Sequence, residues 1–134
     1  MTGLELPNVT EVNYSEIDSS PFKEALYLAY LELANAIVVG GFDGCSGLKI
    51  VHLPKVETIN ANAFNGCTKL RQIDLPASLS SIGANAFTGC FQYSDSEESY
   101  MILRSTTPVN IDATAFDDVG SMYLYVPAAL VADY

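Results

Sequence analysis

The 134-residue sequence predicts a repeat solenoid. It would be a short, right-handed β-solenoid of stacked parallel strands, one per repeat of 22–23 residues, with an inserted or capping α-helix near the amino end. Three observations predict this fold. First, the phrase INANAFNGC at Ile59 to Cys67 returns as IGANAFTGC at Ile82 to Cys90, with looser copies at Ile37 to Cys45 and Ile111 to Val119. Second, its phenylalanines, Phe42, Phe64, Phe87 and Phe116, are separated by 22, 23 and 29 residues, so two units have the standard length and the third carries an insertion. Third, LKIVHLP at Leu48 to Pro54 and LRQIDLP at Leu70 to Pro76 both fit L-x-x-L-x-L. In that pattern alternate apolar side chains of a short strand face inward and the intervening ones face solvent.

Taken in order, Leu4 to Val9 (LELPNV) matches the strand and turn of the repeat at the amino end. The segment from Asn13 to Ala36 fits no repeat and reads as a helix: Ser20 is an acceptable N-cap, Pro21 occupies the first helical position, and Phe22 to Ala34 contains good helix formers without glycine. Phe22, Leu26, Ala29 and Leu33 form one apolar stripe, and Tyr27, Tyr30 and Ala34 another. Such a helix covers exposed core at the end of a solenoid, or alternatively docks a neighbour. The run from Ala25 to Phe42 is apolar enough to resemble a membrane span. Glu32 near its centre would cost about 2.5 kcal/mol or more, so it reads as a buried helix followed by a strand.

Each later unit reads as a strand, a turn at Pro54 or Pro76, a second extended segment and a tight corner at Ala-Phe-x-Gly-Cys. The second segments carry Val56 with Ile59 and Leu79 with Ile82. Met101 to Arg104 and Leu124 to Pro127 continue the strand register, for five stacked strands in all. The organisation expected is a single domain over 1–134. Residues 1–36 hold a partial repeat plus the helix, 37–119 the repeats, and 120–134 a capping strand and the carboxyl end.

The phrase I-x-x-x-A-F-x-G-C-x-x-L-x-x-I-x-L-P, seen in Ile59 to Leu75 and its copies, resembles the BspA-like leucine-rich repeats, and the closing run Ile102 to Pro108, with Tyr125 to Pro127 and Tyr134, is similar to the terminal unit of such proteins in gut Bacteroidetes. The resemblance covers most of residues 37–134 and, more loosely, 4–12. It implies a leucine-rich-repeat-like β-solenoid in a secreted or cell-surface protein, often lipid-anchored, whose role is adhesion or partner binding.

Composition narrows the function. Sixteen Asp and Glu against six Lys and Arg give a net charge of -10 and a pI near 4.2, which removes nucleic acid and anionic membranes as partners. With 49% hydrophobic residues the chain can bury a core. Met1 to Glu5 has no basic region leading into an apolar one, so no signal peptide is visible.

The candidate chemistry is sparse. Cys45, Cys67 and Cys90 share one repeat position and should form a column about 4.8 Å apart, each filling one slot per layer. Metal ligands converge on a point, so no metal or cofactor is expected, and pairing into a disulfide needs suitable side-chain vectors. His52 should lie beside Asp74 with Glu5 on its other side, and neither Ser nor Cys shares that face, so no catalytic residue and no enzyme is expected. Asp95 to Glu98 lacks the pattern of a calcium loop and reads as a hairpin tip. Asn8 and Asn13 begin formal glycosylation sequons without meaning in a bacterial protein.

The outward face of the strands is more informative. Register predicts one row of Glu5, His52, Asp74, Ile102 and Tyr125 and another of Gly3, Ile50, Gln72, Tyr100 and Tyr123. The carboxyl half gathers three tyrosines and an isoleucine, the side chains that rigid protein or glycan contacts use. The candidate partner-binding residues are Ile50, His52, Gln72, Asp74, Tyr100, Ile102, Tyr123 and Tyr125. The function expected is a non-enzymatic surface module binding a protein or glycan, the alternative being a structural spacer with no ligand.

Overall fold

The computed structural model describes residues 3–5, 11–12, 25–92 and 98–134. Among them, short strands alternate in chain order between two wholly parallel sheets. The first sheet takes β1 (Gly3–Glu5), β3 (Tyr30–Glu32), β5 (Ile50–His52), β7 (Gln72–Leu75), β9 (Tyr100–Leu103) and β11 (Tyr123–Tyr125). The second takes β2 (Glu11–Val12), β4 (Val38–Val39), β6 (Thr58–Ile59), β8 (Ser81–Ile82) and β10 (Asn110–Ile111). Each strand pairs with the next of its own sheet, so successive layers add one rung to both.

The L-x-x-L-x-L pattern explains the first sheet. Leu31, Val51, Ile73, Met101 and Leu124 are aligned by register, and all but Leu124, on the last strand, are buried. Flanking leucines such as Leu48, Leu53, Leu70 and Leu75 are fully buried with them. Pro54 and Pro76 follow the strands at the turns, and Val56 and Leu79 lead into the second sheet, where Val39, Ile59 and Ile82 form the inward row.

The corner closes each layer. Gly44, Gly66 and Gly89 have φ of 74°, 77° and 70°, in the left-handed region that favours glycine, and a Cβ added at Gly66 would stand 3.7 Å from the Gly44 Cα. Backbone bonds run from each corner to the next layer: Phe42 N–H to Ala63 O (2.9 Å), Phe64 N–H to Ala86 O (2.8 Å) and Phe87 N–H to Ala115 O (2.8 Å). The four phenylalanines are stacked, with ring centroids 5.9, 5.5 and 5.4 Å apart and interplanar angles of 12°, 15° and 7°. Equivalent letters of the repeat therefore occupy equivalent slots.

Two expectations are corrected. Ala25 to Ala34 is not helical: Tyr30–Glu32 is β3, hydrogen-bonded between β1 and β5. Leu28, Leu31 and Leu33 carry L-x-x-L-x-L and are buried, whereas Leu26 and Tyr27, from the two proposed helical stripes, are exposed. The segment is one more repeat, so the first sheet has six strands rather than five. Only β4 survives from the helix-then-strand reading of Ala25 to Phe42. Phe22, with the N-cap at Ser20, both sequons and Asp95 to Glu97, lies outside the described residues.

After β11, Pro127 turns the chain into a 3-10 helix over Ala128–Asp133, which buries Leu130, and the Tyr134 hydroxyl accepts the Val109 N–H at 2.8 Å. No helix among the described residues is long and apolar enough to cross a membrane.

Candidate functional site: the outward face of the six-stranded sheet

Side chains alternate across a strand, so the register that buries the leucines also fixes what faces out. One outward row runs Gly3, Tyr30, Ile50, Gln72, Tyr100 and Tyr123, and the other Glu32, His52, Asp74, Ile102 and Tyr125. All eight sequence-predicted residues lie in these rows in the expected order. Tyr30 and Glu32, contributed by β3, were missed; the signal that would have found them is the L-x-x-L-x-L of Leu28 to Leu33.

At the amino half, the Tyr30 hydroxyl donates to the Glu32 carboxylate, whose Oε2 lies 3.8 Å from His52 Nδ1. Glu32 thus takes the place beside His52 expected for Glu5, which pairs in register with Glu32 instead. Asp74 is the opposite neighbour of His52 in register, but its carboxylate is engaged elsewhere. Arg104 Nε and Nη2 donate to Asp74 Oδ1 and Oδ2 at 2.7 and 2.8 Å. The reason is geometric: Arg104 stands two residues beyond Ile102, on the same outward face, and its backbone N–H continues the ladder to Leu75 O at 3.0 Å. A diagonal cross-strand reach is within range of a long side chain. The Asp74 carboxylate, by hydrogen bond and charge, raises the pKa of the Arg104 guanidinium further.

The carboxyl half is aromatic. Tyr100 meets Tyr125 edge to face with centroids 6.4 Å apart, and Tyr123 lies tilted by 33° against Tyr125 at 6.4 Å. Tyr123 and Tyr125 are 56% and 53% exposed, while Tyr100 and Ile102 are half-buried beside them. Next to Tyr125 is a shallow cleft of 270 Å³, lined by Ile102, Leu103, Arg104, Tyr125, Val126 and Pro127. A tyrosine side chain has only two χ angles, so ordering these rings on contact costs little conformational entropy.

The cysteine column lies in the interior. Cys45, Cys67 and Cys90 are buried free thiols. Beyond filling a slot, as expected, Cys67 Sγ donates to Phe42 O at 3.2 Å and Cys90 Sγ to Phe64 O at 3.0 Å, so two of them tie one layer to the one before. Burial pushes the Cys45 thiol up to about 11 and Cys67 well above the usual value, which keeps both protonated. Among the described residues no three His, Cys, Asp or Glu side chains cluster to hold a metal ion.

On the second sheet, Thr58, Ser81, Asn110 and Asp112 line a groove of 240 Å³. There the Asp112 carboxylate accepts the Thr114 N–H and hydroxyl at 2.9 and 2.8 Å, bonds that lower its pKa and make it a local turn former.

A family model described as BspA type leucine rich repeat region matches residues 35–123 in six copies. No curated protein and no solved structure matches the chain.

Proposed function

The chain belongs to the BspA-type leucine-rich repeat family, an interaction or repeat module, and from that premise we propose that it is a non-enzymatic binding module of a secreted or cell-surface protein. It winds as a right-handed solenoid and presents the outward face of its six-stranded sheet to a partner. The observation that carries this reading is the cluster of Tyr100, Tyr123 and Tyr125 on adjacent strands, two of them more than half exposed. Aromatic side chains on a rigid surface offer large contact area at low entropic cost, and tyrosine is enriched at the energetic centres of interfaces. The amino half of the same face supplies polar contacts around that centre through His52, Gln72 and Asp74, and an apolar one through Ile50.

The test is capture on arrays of immobilised extracellular proteins and of glycans, by the native chain and by a variant carrying Tyr100→Ser, Tyr123→Ser and Tyr125→Ser. The expected result is specific capture by the native chain and its loss in the variant, with circular dichroism unchanged. Equal capture by both chains would move the binding site elsewhere. Blank arrays would leave a structural spacer, in which the repeats only display other parts of a surface protein.

A further inference from the structure

One corner of the stack carries the only Asn-Gly pair of the sequence, Asn65–Gly66. A glycine after asparagine has no Cβ to keep the asparagine side chain away from its backbone nitrogen, so the two groups can react with each other. Both residues are half-buried, and water reaches them. Hydrogen bonds nevertheless hold the pair on every side. Gly66 N–H donates to Thr88 O of the next layer at 2.8 Å, and Asn65 O accepts Gly44 N–H of the previous layer at 2.7 Å. Within the corner, Asn65 N–H and Nδ2 donate to Asn62 O and Oδ1 at 3.1 and 3.2 Å.

We infer that Asn65–Gly66 is a latent modification site, a deamidation site that the stack silences and that becomes reactive when this corner detaches from the next layer. In the reaction the Gly66 N–H gives its proton to hydroxide, the nitrogen bonds Asn65 Cγ, and the Cγ–Nδ2 bond breaks to release ammonia. One water then opens the resulting succinimide: entry at Cγ leaves aspartate, and entry at the backbone carbonyl carbon leaves isoaspartate. In the stacked state the nucleophile is withheld, because the Gly66 N–H is committed to Thr88 O and points at the next layer. Protection therefore comes from that bond and not from burial. The opening that frees the nitrogen is the same one that lets the Gly66 amide exchange its hydrogen. The two products differ in consequence. The slot before Gly44 holds Asp43, so an aspartate at position 65 fits the repeat. Isoaspartate routes the main chain through Cβ and Cγ, which adds an atom to a corner whose amides must meet both Gly44 and Thr88. A chain that opens, converts and recloses then keeps a mismatched layer as a record of its unfolding.

The experiment incubates the full chain in mildly alkaline buffer over a series of guanidinium chloride concentrations. Peptide mapping by mass spectrometry follows conversion at each asparagine, and hydrogen exchange reads the Gly66 amide. In the unfolded chain Asn65 should convert faster than any other asparagine. In the folded chain its conversion should be slower by at least about tenfold, and the slowing should equal the exchange protection of Gly66 at every denaturant concentration. After denaturant removal, an Asn65→Asp variant should regain the wild-type midpoint and the isoaspartyl fraction should not. Conversion of Asn65 at the unfolded rate in the folded chain, a folded rate that does not track Gly66 exchange, or another asparagine reacting first in the unfolded chain overturns the inference. An isoaspartyl fraction with the wild-type midpoint, or an Asn65→Asp variant without it, overturns the account of the products.

Discussion

The phenylalanine stack makes an energetic claim that can be measured. Phe64 is fully buried and has a ring on each face, at 5.9 and 5.5 Å, whereas the partly buried Phe116 has, among the described residues, one stacked neighbour, at 5.4 Å. Truncating a buried phenylalanine to alanine costs about 3–5 kcal/mol, and each aromatic pair is worth about 0.5–1.5 kcal/mol beyond its buried area. Phe64→Ala should therefore fall at the upper end of that range and Phe116→Ala below it. The sharper test uses leucine, which keeps most of the volume. In a double-mutant cycle, Phe42→Leu with Phe64→Leu should show coupling of about 0.5–1.5 kcal/mol. Phe42→Leu with Phe87→Leu, separated by the Phe64 ring, should be additive within about 0.3–0.5 kcal/mol. Urea denaturation followed by tyrosine fluorescence and by circular dichroism supplies the free energies, and agreement of the two probes checks that this short array unfolds as a unit. Equal costs for Phe64→Ala and Phe116→Ala, or coupling as strong across two layers as across one, would refute nearest-neighbour stacking.

Three further outcomes follow from the same layered packing. Leu31→Ala should cost about 2–5 kcal/mol while Leu26→Ala, at a side chain 55% exposed, changes the denaturation midpoint little; a helical segment, with Leu26 on its buried stripe, would make the two comparable. Gly83→Val should destabilise by about 1–3 kcal/mol or prevent folding, because a Cβ there stands 2.5 Å from the Ala61 backbone nitrogen, and a wild-type midpoint would contradict that layer spacing. The folded state holds the Cys45 proton up to about pH 11 whereas the unfolded chain releases it near 9.0, so this thiol's contribution to stability is complete below pH 9 and is lost as pH rises from there to about 11. The slope is about 1.4 kcal/mol per pH unit for that thiol, with Cys67 adding to it in the same direction. Denaturation midpoints against pH should show the decline, and Cys45→Ala with Cys67→Ala should flatten it.

The rows of the candidate site were legible because a repeat that returns with the same letters must place them in the same slots, and strand alternation then decides which letters face out. That is why the order of Ile50, Gln72, Tyr100 and Tyr123, and of His52, Asp74, Ile102 and Tyr125, follows from the sequence. Leu28 to Leu33 was misread because its leucines satisfy two periods at once. LAYLEL fits the strand pattern of the repeat, and it also fits a helix made of strong helix formers. Arg104 was placed at the end of its strand, but nothing in the repeat shows that its side chain reaches diagonally to Asp74, since no other unit carries an arginine at that position.

By itself, then, the sequence determined the layering: the corner phenylalanines, the glycines at positive φ, the inward leucines and the order of the outward rows all follow from local periodicity. Tertiary structure alone decided which of two local conformations residues 28–33 adopt. The edge of β5 resolved it, with Lys49 N–H bonding Ala29 O at 2.8 Å and Leu33 N–H bonding His52 O at 3.1 Å. An isolated segment has no such partners, and intrinsic propensity, worth only tenths of a kcal/mol per residue, gives way to a ladder of hydrogen bonds and a buried leucine row once the neighbouring layer is present. The Asp74 and Arg104 fork and the thiol bonds to Phe42 and Phe64 belong to the same class, because each joins groups in different layers, whose approach exists only after the stack has formed.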